Sequence, residues 1–514
     1  MDAPERITAL IESLLNFAEA RGLTEALDRP YYRNLLLDAM GLEAPAEGVN
    51  AGSEPVPETA AGLLSQLCDC AVTRGLIEDM QYARDLFSAR LMGLLTPSPL
   101  AVRLAFAQRL EQEGAQAATD WFYQLCRDCD YIKVDAIRQN IRYFADSPAG
   151  ELEITINLSK PEKDPKEIAK LKNAPSVGYP KCMLCVENPG YAGRPGFPAR
   201  QNHRVIPLML TGKPWYLQYS PYLYYNEHCI VFNHEHIPMK IDRGTFERLF
   251  DFVDRFPHYF LGSNADLPIV GGSILSHDHF QGGNHRFPMD DAPVRIPLTA
   301  PAAGVSAHVA DWPMTCVVLE GADRAQLTEL ADAMLNKWRG WTDAACDICA
   351  ETDGTPHNTI TPIARRTETG YRLSLVLRNN RTSDEHPLGI FHPHADLHHV
   401  KKENIGLIEV MGLFILPGRL LSELDGLKAY LTGRRPIDDA PAADDPLAKH
   451  YDWVREIAGR HGANLSPEAA DRALRQALAA KCARVLSDAG VYKQTPEGDA
   501  GIMRFLEALG YKRR

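Results

Sequence analysis

The feature that most constrains the fold is a change in the spacing of the apolar residues near residue 150. Up to about residue 143, apolar side chains recur every three or four residues in a background of Leu, Ala, Glu, Arg and Gln, which predicts amphipathic helices. From Glu151 onward, Leu152, Ile154 and Ile156 alternate with polar residues, and this period of two is typical of a half-buried strand. The sequence therefore predicts a helical N-terminal region that gives way to a sheet.

Two β-rich blocks follow, and the chain then returns to helix. Aromatic and β-branched runs bounded by Pro and Asn predict strands, and helical spacing predicts two helices among them. The strands are expected at 215–225, 229–232, 315–319, 359–364 and 371–377, the helices at 245–256 and 327–338, and a charged connection at 160–172. The predicted parts are a helical N-terminal region at 1–150, β-rich halves at 151–300 and 301–418, and a helical C-terminal region at 419–514. This order predicts an α+β protein with a mainly antiparallel sheet.

Charge and hydropathy exclude two classes of partner. The chain has 67 Asp and Glu against 55 Lys and Arg, a formal net charge of -12, so it lacks the basic field that holds a nucleic-acid backbone. No apolar run reaches the roughly 18 to 20 residues that span a bilayer, and the first 15 residues lack the apolar core of a secretory signal. We expect a cytoplasmic protein with neither nucleic acid nor a membrane as partner.

The cysteine count favours a reducing environment. Eleven cysteines, an odd number spread over a long chain, indicate reduced thiols or metal ligands more than disulfides. Two Cys-x-x-Cys pairs, Cys126/Cys129 and Cys346/Cys349, lie in stretches that read as helical and have no histidine nearby. We predict buried thiols at both pairs.

The histidines are distributed unevenly. All 17 lie after residue 200, and fourteen of them fall into two blocks. The first block contains His203, His228, His234, His236, His258, His277, His279 and His285, and the second contains His357, His386, His392, His394, His398 and His399. Imidazole is the side chain that titrates near neutrality, so such clusters indicate metal binding or acid/base and nucleophilic chemistry.

The sharpest motif is GGSILSHDHFQGG at 271–283. In an extended chain His277, His279 and Gln281 point to one side, because side chains alternate between the two faces. The glycines at both ends let backbone N–H groups approach an anionic ligand such as a phosphate. The motif thus predicts a polar, phosphate-accepting surface; a surface strand with incidental histidines is the alternative.

A third Cys-x-x-Cys pair suggests a metal site. Cys182 and Cys185 lie in a turn context that suits tetrahedral Zn²⁺, and two more ligands are then needed. His236 and His277 are the candidates. Four protein ligands leave no open position, which is typical of a structural rather than a catalytic zinc. Ordinary core cysteines are the alternative.

Four long segments resemble one family closely. They are QYSPYLYYNEHCIVFNHEHIPM at 218–239, GGSILSHDHFQGGNHRFPM at 271–289, HNTITPIARR at 357–366 and EHPLGIFHPHADLHHVKKENIGLIEVMGLFILPGRL at 385–420. From about 152 to 420 the chain resembles the class II bacterial galactose-1-phosphate uridylyltransferases, which belong to the histidine-triad superfamily. The resemblance implies an α+β fold with two histidine-triad-like antiparallel β halves and helical N- and C-terminal regions.

The resemblance also implies a reaction. A uridylyl group would pass from UDP-glucose to galactose 1-phosphate, giving UDP-galactose and glucose 1-phosphate in the Leloir pathway, without an organic cofactor. His279 matches the family's nucleophile and would form a uridylyl-histidine, which splits one displacement into two. Its other ring N–H needs an acceptor, expected to be a backbone carbonyl of the turn. Gln281 stands where the superfamily's hydrolases carry a third histidine, and it would donate to a phosphate oxygen without titrating.

The same comparison implies further site residues. The class I relatives' metal site maps onto Cys182, Cys185, His236 and His277. Buried phosphate charge needs basic partners. The substrate-binding candidates are Arg200, Arg204, Arg378 and Arg381 for the phosphates, Asn264 and Ser273 near them, and Glu409 for the sugar hydroxyls.

A second metal is one of two interpretations of the later histidine block. His392 and His394 resemble histidines that hold a second metal in the class I relatives, with His357 as a further ligand. The sequence that follows, ADLHHVKK, departs from that class. A sugar-recognition or packing role is therefore the alternative.

Two other functions compete with uridylyl transfer. One is a phosphorylase or hydrolase of the same superfamily that acts on dinucleoside polyphosphates, against which Gln281 counts. The other is a zinc-stabilised protein that binds a nucleotide sugar without turnover. A homodimer is compatible with each of these functions.

Overall fold

The computed structural model describes residues 3–49, 55–159 and 177–514. The helices in these ranges are α1 (Ala3–Ala20), α2 (Arg29–Ala39), α3 (Ala61–Thr73), α4 (Gln81–Leu95), α5 (Pro99–Gln112), α6 (Ala115–Asp128), α7 (Val134–Ile137), α8 (Arg243–Arg255), α9 (Arg324–Arg339), α10 (Leu407–Val410), α11 (Arg419–Leu431), α12 (Tyr451–His461), α13 (Pro467–Ala489) and α14 (Pro496–Glu507). The predicted connection at 160–172 lies outside the described residues.

The strands are β1 (Ile141–Ser147), β2 (Gly150–Asn157), β3 (Ile206–Leu210), β4 (Lys213–Tyr219), β5 (Cys229–Asn233), β6 (Phe260–Gly262), β7 (His279–Gly283), β8 (Val294–Thr299), β9 (Val305–Ala310), β10 (Cys316–Gly321), β11 (Glu351–Thr352), β12 (Thr355–Pro356), β13 (Asn358–Thr367), β14 (Gly370–Asn379), β15 (Leu413–Pro417) and β16 (Lys512–Arg513). The chain divides into two compact units. The first consists of Met1–Gln139, Ser159–Leu223 and Glu227–Ile237, and the second of Asn140–Leu158, Tyr224–Asn226 and Pro238–Arg514.

The first unit combines the N-terminal helices with a short antiparallel sheet. Helix α1 forms because its apolar residues share one face, and Ile7, Leu14 and Phe17 are fully buried. Strand β4 pairs with both β3 and β5. Thr211 and Gly212 join β3 to β4 with φ of 49° and 73°, the two left-handed positions of a type I′ hairpin. Beyond β5 the chain leads directly to His236.

The second unit contains the longer run of paired strands. Its strands pair in the order β16–β8–β9–β10–β14–β13–β6–β7, and every neighbouring pair is antiparallel. Strands β6 and β13 join the two predicted β-rich halves, with Leu261 opposite Ala364. Helix α8 packs against β13 and begins with a capping box, in which the Asp242 side chain accepts a hydrogen bond from the Thr245 N–H.

A separate sheet places β2 between β1 and β15. The prediction of a half-buried β2 is wrong, because both faces of its middle are covered: Glu153 and Thr155 are as buried as Leu152 and Ile154. Glu153 tolerates this burial because Arg142 forms an ion pair with it and His285 Nε2 lies 2.8 Å from its Oε2.

Two other predictions also need correction. The strand expected at 215–225 ends at Tyr219, because Ser220 begins a turn and Pro221 has no N–H for a ladder. Cys346 ends a single 3₁₀ turn and Cys349 lies beyond it, so the pair is not in an α-helix, and both cysteines are partly exposed. The buried interpretation holds for Cys126 and Cys129.

The α+β class, the antiparallel sheet and the helical N- and C-terminal regions are confirmed. The C-terminal helices pack against the sheet, since Val454, Leu478 and Leu486 are fully buried in one core with strand residues such as Phe414. Among the described residues, none of the helices is both long enough and apolar enough to cross a bilayer.

Candidate active site and metal site

His279 is the first residue of β7, and its ring is oriented by its own chain. The Nδ1–H donates to the carbonyl oxygen of His277, at an N–O distance of 2.8 Å. This bond fixes the tautomer, so Nε2 carries the lone pair when the ring is neutral. Burial lowers the pKa of His279 to about 4, and the hydrogen bond to the His277 carbonyl partly opposes that shift. The arrangement leaves Nε2 of the neutral ring with a lone pair that is not used by the bond to His277.

The segment before the strand is bent rather than extended. His277 precedes β7 and is fully buried, whereas Gln281 lies within the strand, opposite Gly262 on β6, and is partly buried. The prediction that His277, His279 and Gln281 point to one side therefore applies only to His279 and Gln281, which lie within β7. Ser273 is exposed.

Two of the glycines before His277 serve close packing. A Cβ on Gly271 would lie 2.6 Å from the Leu267 carbonyl oxygen, and one on Gly272 would lie 2.9 Å from the Asn264 amide nitrogen. A side chain at either position would force its neighbours to move, and at Gly271 those neighbours include backbone oxygens. These glycines therefore allow the chain's own 264–267 loop to pack closely, and their approach to a phosphate stays a prediction.

The cysteine pair at 182 and 185 forms a compact turn with a histidine. The two Sγ atoms are 3.6 Å apart, and Cys185 Sγ lies 3.1 Å from His236 Nδ1. Asn188 fixes the turn, because its Nδ2 donates to the carbonyl oxygens of Cys182 (2.9 Å) and Cys185 (2.7 Å). The Leu184 N–H also points to Cys182 Sγ, at 3.4 Å. Such donors stabilise thiolates.

With His277, these residues make a group that can hold a metal ion. The ligand atoms of Cys182, Cys185, His236 and His277 all lie within 4.8 Å of one another. Burial raises the pKa of the Cys185 thiol, so a cation would be needed to keep its thiolate form at neutral pH. Two thiolates and two imidazoles are the donor set that tetrahedral metals of intermediate softness prefer.

Two predicted substrate residues hold the segment that carries Glu409. Asn264 Oδ1 accepts a hydrogen bond from the Leu407 N–H at 2.8 Å, and Arg378 Nη2 donates to the Ile405 carbonyl oxygen at 2.9 Å. Glu409 follows on α10, where Lys401 Nζ lies 3.1 Å from its Oε1. Asn264 and Arg378 therefore position this segment, whichever further contacts they make.

The arginine candidates differ in the hydrogen bonds and ion pairs that their guanidinium groups already make. Arg204 donates to four backbone carbonyls, at Thr96, Pro97, Gln201 and His203, which favours a structural role. Arg381 forms an ion pair with Asp347, which likewise favours a structural role.

Arg378 and Arg200 are both buried, and neither makes a direct ion pair with a carboxylate of the described residues, although Glu409 lies near enough to Arg378 to act on its charge. Burial lowers the pKa of Arg378 to about 10, and its Nε has no hydrogen-bond partner among those residues. The Arg200 guanidinium lies 5.6 Å from the Tyr131 ring centroid. These two have charge left for an anion.

The later histidine block is packed through hydrogen bonds. His394 Nε2 lies 3.1 Å from the Ile390 carbonyl oxygen, His398 Nε2 lies 2.8 Å from that of Pro393, and His357 Nδ1 lies 2.8 Å from Asn380 Oδ1. Among the described residues, no third metal-ligating side chain clusters with His392 and His394. The structure thus favours packing over a second metal.

Sequence reasoning missed the residues that brace this site. Asn188 follows the cysteine pair, but no residue spacing in the sequence indicates its role. Tyr225 lies in an aromatic run that the sequence predicts as a strand. Glu153 reads as solvent-facing, although it holds His285. His285 lies in the first histidine block, so that block was the one available signal.

The fold and the site together define an α+β protein with a histidine-rich motif next to a group of cysteines and histidines that could hold a metal ion. Comparison with known proteins identifies its family. The family model for the galactose-1-phosphate uridyl transferase N-terminal domain matches residues 24–238, and that for the C-terminal domain matches residues 252–453. The chain belongs to the galactose-1-phosphate uridylyltransferase family.

Full-length relatives support this membership. The galactose-1-phosphate uridylyltransferase of Caldanaerobacter subterraneus subsp. tengcongensis is 50% identical, with 98% of each chain covered. The enzymes of that name from Halalkalibacterium halodurans and Bacillus subtilis are 49% and 46% identical, over 98% of this chain and 99% and 98% of theirs. Among solved structures, a yeast Ap4A phosphorylase in complex with AMP matches with a TM-score of 0.31 and 11% identity, covering 58% of this chain and 89% of that one.

Proposed function

We propose that this protein transfers a uridylyl group from UDP-glucose to galactose 1-phosphate through a covalent histidine intermediate. The observation that carries the proposal is the hydrogen bond from His279 Nδ1–H to the His277 carbonyl, which leaves Nε2 as the attacking atom. Full-length relatives that carry the galactose-1-phosphate uridylyltransferase name support the choice of substrates.

Each of the two steps forms one bond to the α-phosphorus and breaks another, which in the second step is the P–N bond to His279. Nε2 of His279 attacks the α-phosphorus of UDP-glucose, a P–N bond forms, the bond to the bridging oxygen breaks, and glucose 1-phosphate leaves. A phosphate oxygen of galactose 1-phosphate then attacks the same phosphorus, which gives UDP-galactose and restores the imidazole. Because the leaving group is a phosphate monoester with a second pKa of about 6, it departs without a strong general acid. Positioning and charge stabilisation then account for the catalysis.

Gln281 contributes to that stabilisation. Its position on β7, two residues after His279, allows its amide to donate to a non-bridging phosphate oxygen. An amide brings no proton that titrates near neutrality, so it offers water no general base. This absence of a base favours transfer over hydrolysis.

The metal in our proposal is a structural Zn²⁺ held by Cys182, Cys185, His236 and His277. It would stiffen the turn that precedes the nucleophile and takes no part in the chemical steps.

Arg378 and Arg200 are our candidates for the phosphate charges, Glu409 for the sugar hydroxyls, and Asn264 and Ser273 for contacts near the phosphates. The buried charge of Arg378 supports its assignment, because a buried guanidinium is costly and Glu409 offsets that cost only in part. Arg204 and Arg381 are weaker candidates for the reasons given above.

The Arg378 assignment predicts a selective loss of activity. We expect Arg378→Met to lower kcat/KM for uridylyl transfer about 10- to 100-fold, the loss of a charge-assisted bond to phosphate. The thermal midpoint should fall by no more than a few degrees, because removal of a buried charge offsets much of the lost bond to the Ile405 carbonyl oxygen. Steady-state kinetics and a melting curve measure both. Arg381→Met is the comparison and should change kcat/KM less than about threefold; equal losses in the two variants would contradict the assignment.

We also propose a cytoplasmic location, supported by the odd number of cysteines and the burial of most of them as thiols. The division of the chain at 150, 300 and 418 and the homodimer remain predictions.

The decisive experiment is the intact mass of the protein after mixing with UDP-glucose and no acceptor. We expect a gain of one uridylyl group, which disappears when galactose 1-phosphate is added. Accumulation of UMP without an adduct would instead indicate a hydrolase, and neither adduct nor product would indicate a binding protein.

A further inference from the structure

The strand that carries the nucleophile ends in two glycines. Gly282 and Gly283 follow Gln281 on β7, and neither offers a side chain for packing. Glycine in a strand weakens it, both through its backbone freedom and through the missing side-chain contacts. The C-terminal end of β7 therefore needs other groups to fix it relative to His279.

Tyr225 supplies such a group. Its Oη donates to the Gly282 carbonyl oxygen at 3.1 Å, and its ring is buried against Phe260, whose centroid lies 5.7 Å away. Gly282 is also opposite Leu261 in the β6–β7 ladder. The phenol thus adds a side-chain contact to a peptide that lies three residues from the nucleophile.

A second layer holds Tyr225 itself. The His285 ring stacks on the Tyr225 ring with centroids 5.5 Å apart and an angle of 21°, and Phe287 meets both rings edge-on. His285 Nε2 lies 2.8 Å from Oε2 of Glu153, which is fully buried. A buried carboxylate holds its partner strongly, so the His285 ring has little freedom to turn.

We propose that Tyr225 is a positioning residue for uridylyl transfer, which fixes the glycine end of β7 and thereby the approach of His279 and Gln281 to the α-phosphorus. His285 and Glu153 act behind it by fixing its ring. None of the three contacts substrate in this assignment. The inference rests on the proposed function, because the quantity it concerns is the rate of that reaction.

Geometry of this kind affects the chemical step more than binding. A small displacement of a nucleophile from its line of attack lowers the rate steeply, while contacts to the nucleotide remain. We expect Tyr225→Phe to slow formation of the uridylyl adduct about tenfold in a single turnover with UDP-glucose. The KM for galactose 1-phosphate and the thermal midpoint should stay close to those of the wild type.

The chain contains a matched control. Tyr430 is equally buried, and its Oη donates to the Asp439 carbonyl oxygen at 3.0 Å, in the helical C-terminal region. Tyr430→Phe removes the same chemical group with the same kind of bond and should leave the adduct rate unchanged. Equal rates in the two variants, or a loss in Tyr225→Phe that appears in KM alone, would overturn the inference. If the wild type forms no adduct, the proposed function fails instead.

Discussion

Replacement of His279 by glycine should abolish the uridylyl adduct and lower kcat by about four to six orders of magnitude. The loss is this large because the covalent route needs the nitrogen that the bond to the His277 carbonyl orients, and glycine has no side chain to attack phosphorus. Intact mass after incubation with UDP-glucose gives the adduct, and release of glucose 1-phosphate gives the rate. Binding of UDP-glucose should persist, because the imidazole is one contact among many.

His461→Gly is the control for this substitution. His461 is exposed at the end of α12, so the same change should leave both the adduct and the rate as in the wild type. A persistent adduct in His279→Gly would show that another residue is the nucleophile. Turnover without any adduct, in the wild type and the variant alike, would show direct transfer.

The double substitution Cys182→Ser/Cys185→Ser should remove the metal and lower the thermal midpoint by about 10 °C or more. Two of the four ligands are lost, and hydroxyls do not replace thiolates for a metal of this softness. Because His277 is a proposed ligand and its carbonyl oxygen accepts the hydrogen bond from His279 Nδ1–H, activity should fall as well. Metal content of the purified protein and a melting curve are the measurements.

The pair Cys346→Ser/Cys349→Ser is a control of equal composition. It removes another Cys-x-x-Cys, partly exposed and without a cluster of ligands among the described residues. We expect the metal content to be unchanged and the thermal midpoint to shift by no more than a few degrees. A wild-type protein that contains no metal, and keeps its activity after chelation, would contradict the zinc assignment.

Local patterns allowed the elements of the fold to be predicted, but not their environment. The spacing of apolar residues located α8, α9, β10, β13 and β14 within a few residues. It failed for β2, since the alternation of Glu153 with its neighbours reads as a solvent face. Burial of that face depends on Arg142 and on His285, which lies over a hundred residues away in the chain. Such pairings are set by tertiary structure, which a local period does not contain.

In the candidate site, too, local features could be predicted from the sequence, whereas the surroundings of each side chain could not. The family resemblance at 271–283 allowed a carbonyl acceptor for the His279 ring to be predicted, whereas the bend before β7 was not predicted. Among four arginines of equal plausibility, only the structure separates those already bonded, as Arg204 is, from those with charge to spare, as Arg378 is. Sequence specifies which side chains are present, whereas their hydrogen-bond partners depend on distant backbone atoms.

The pairing of β6 with β13 bears on how the two β-rich halves could exist apart. Each strand satisfies the backbone donors and acceptors of the other where the halves meet, for instance at Leu261 and Ala364. A half released from its neighbour would present an open sheet edge, which recruits other chains by strand addition. The join therefore protects each half from self-association, and it gives the two halves a reason to remain on one polypeptide that is independent of catalysis.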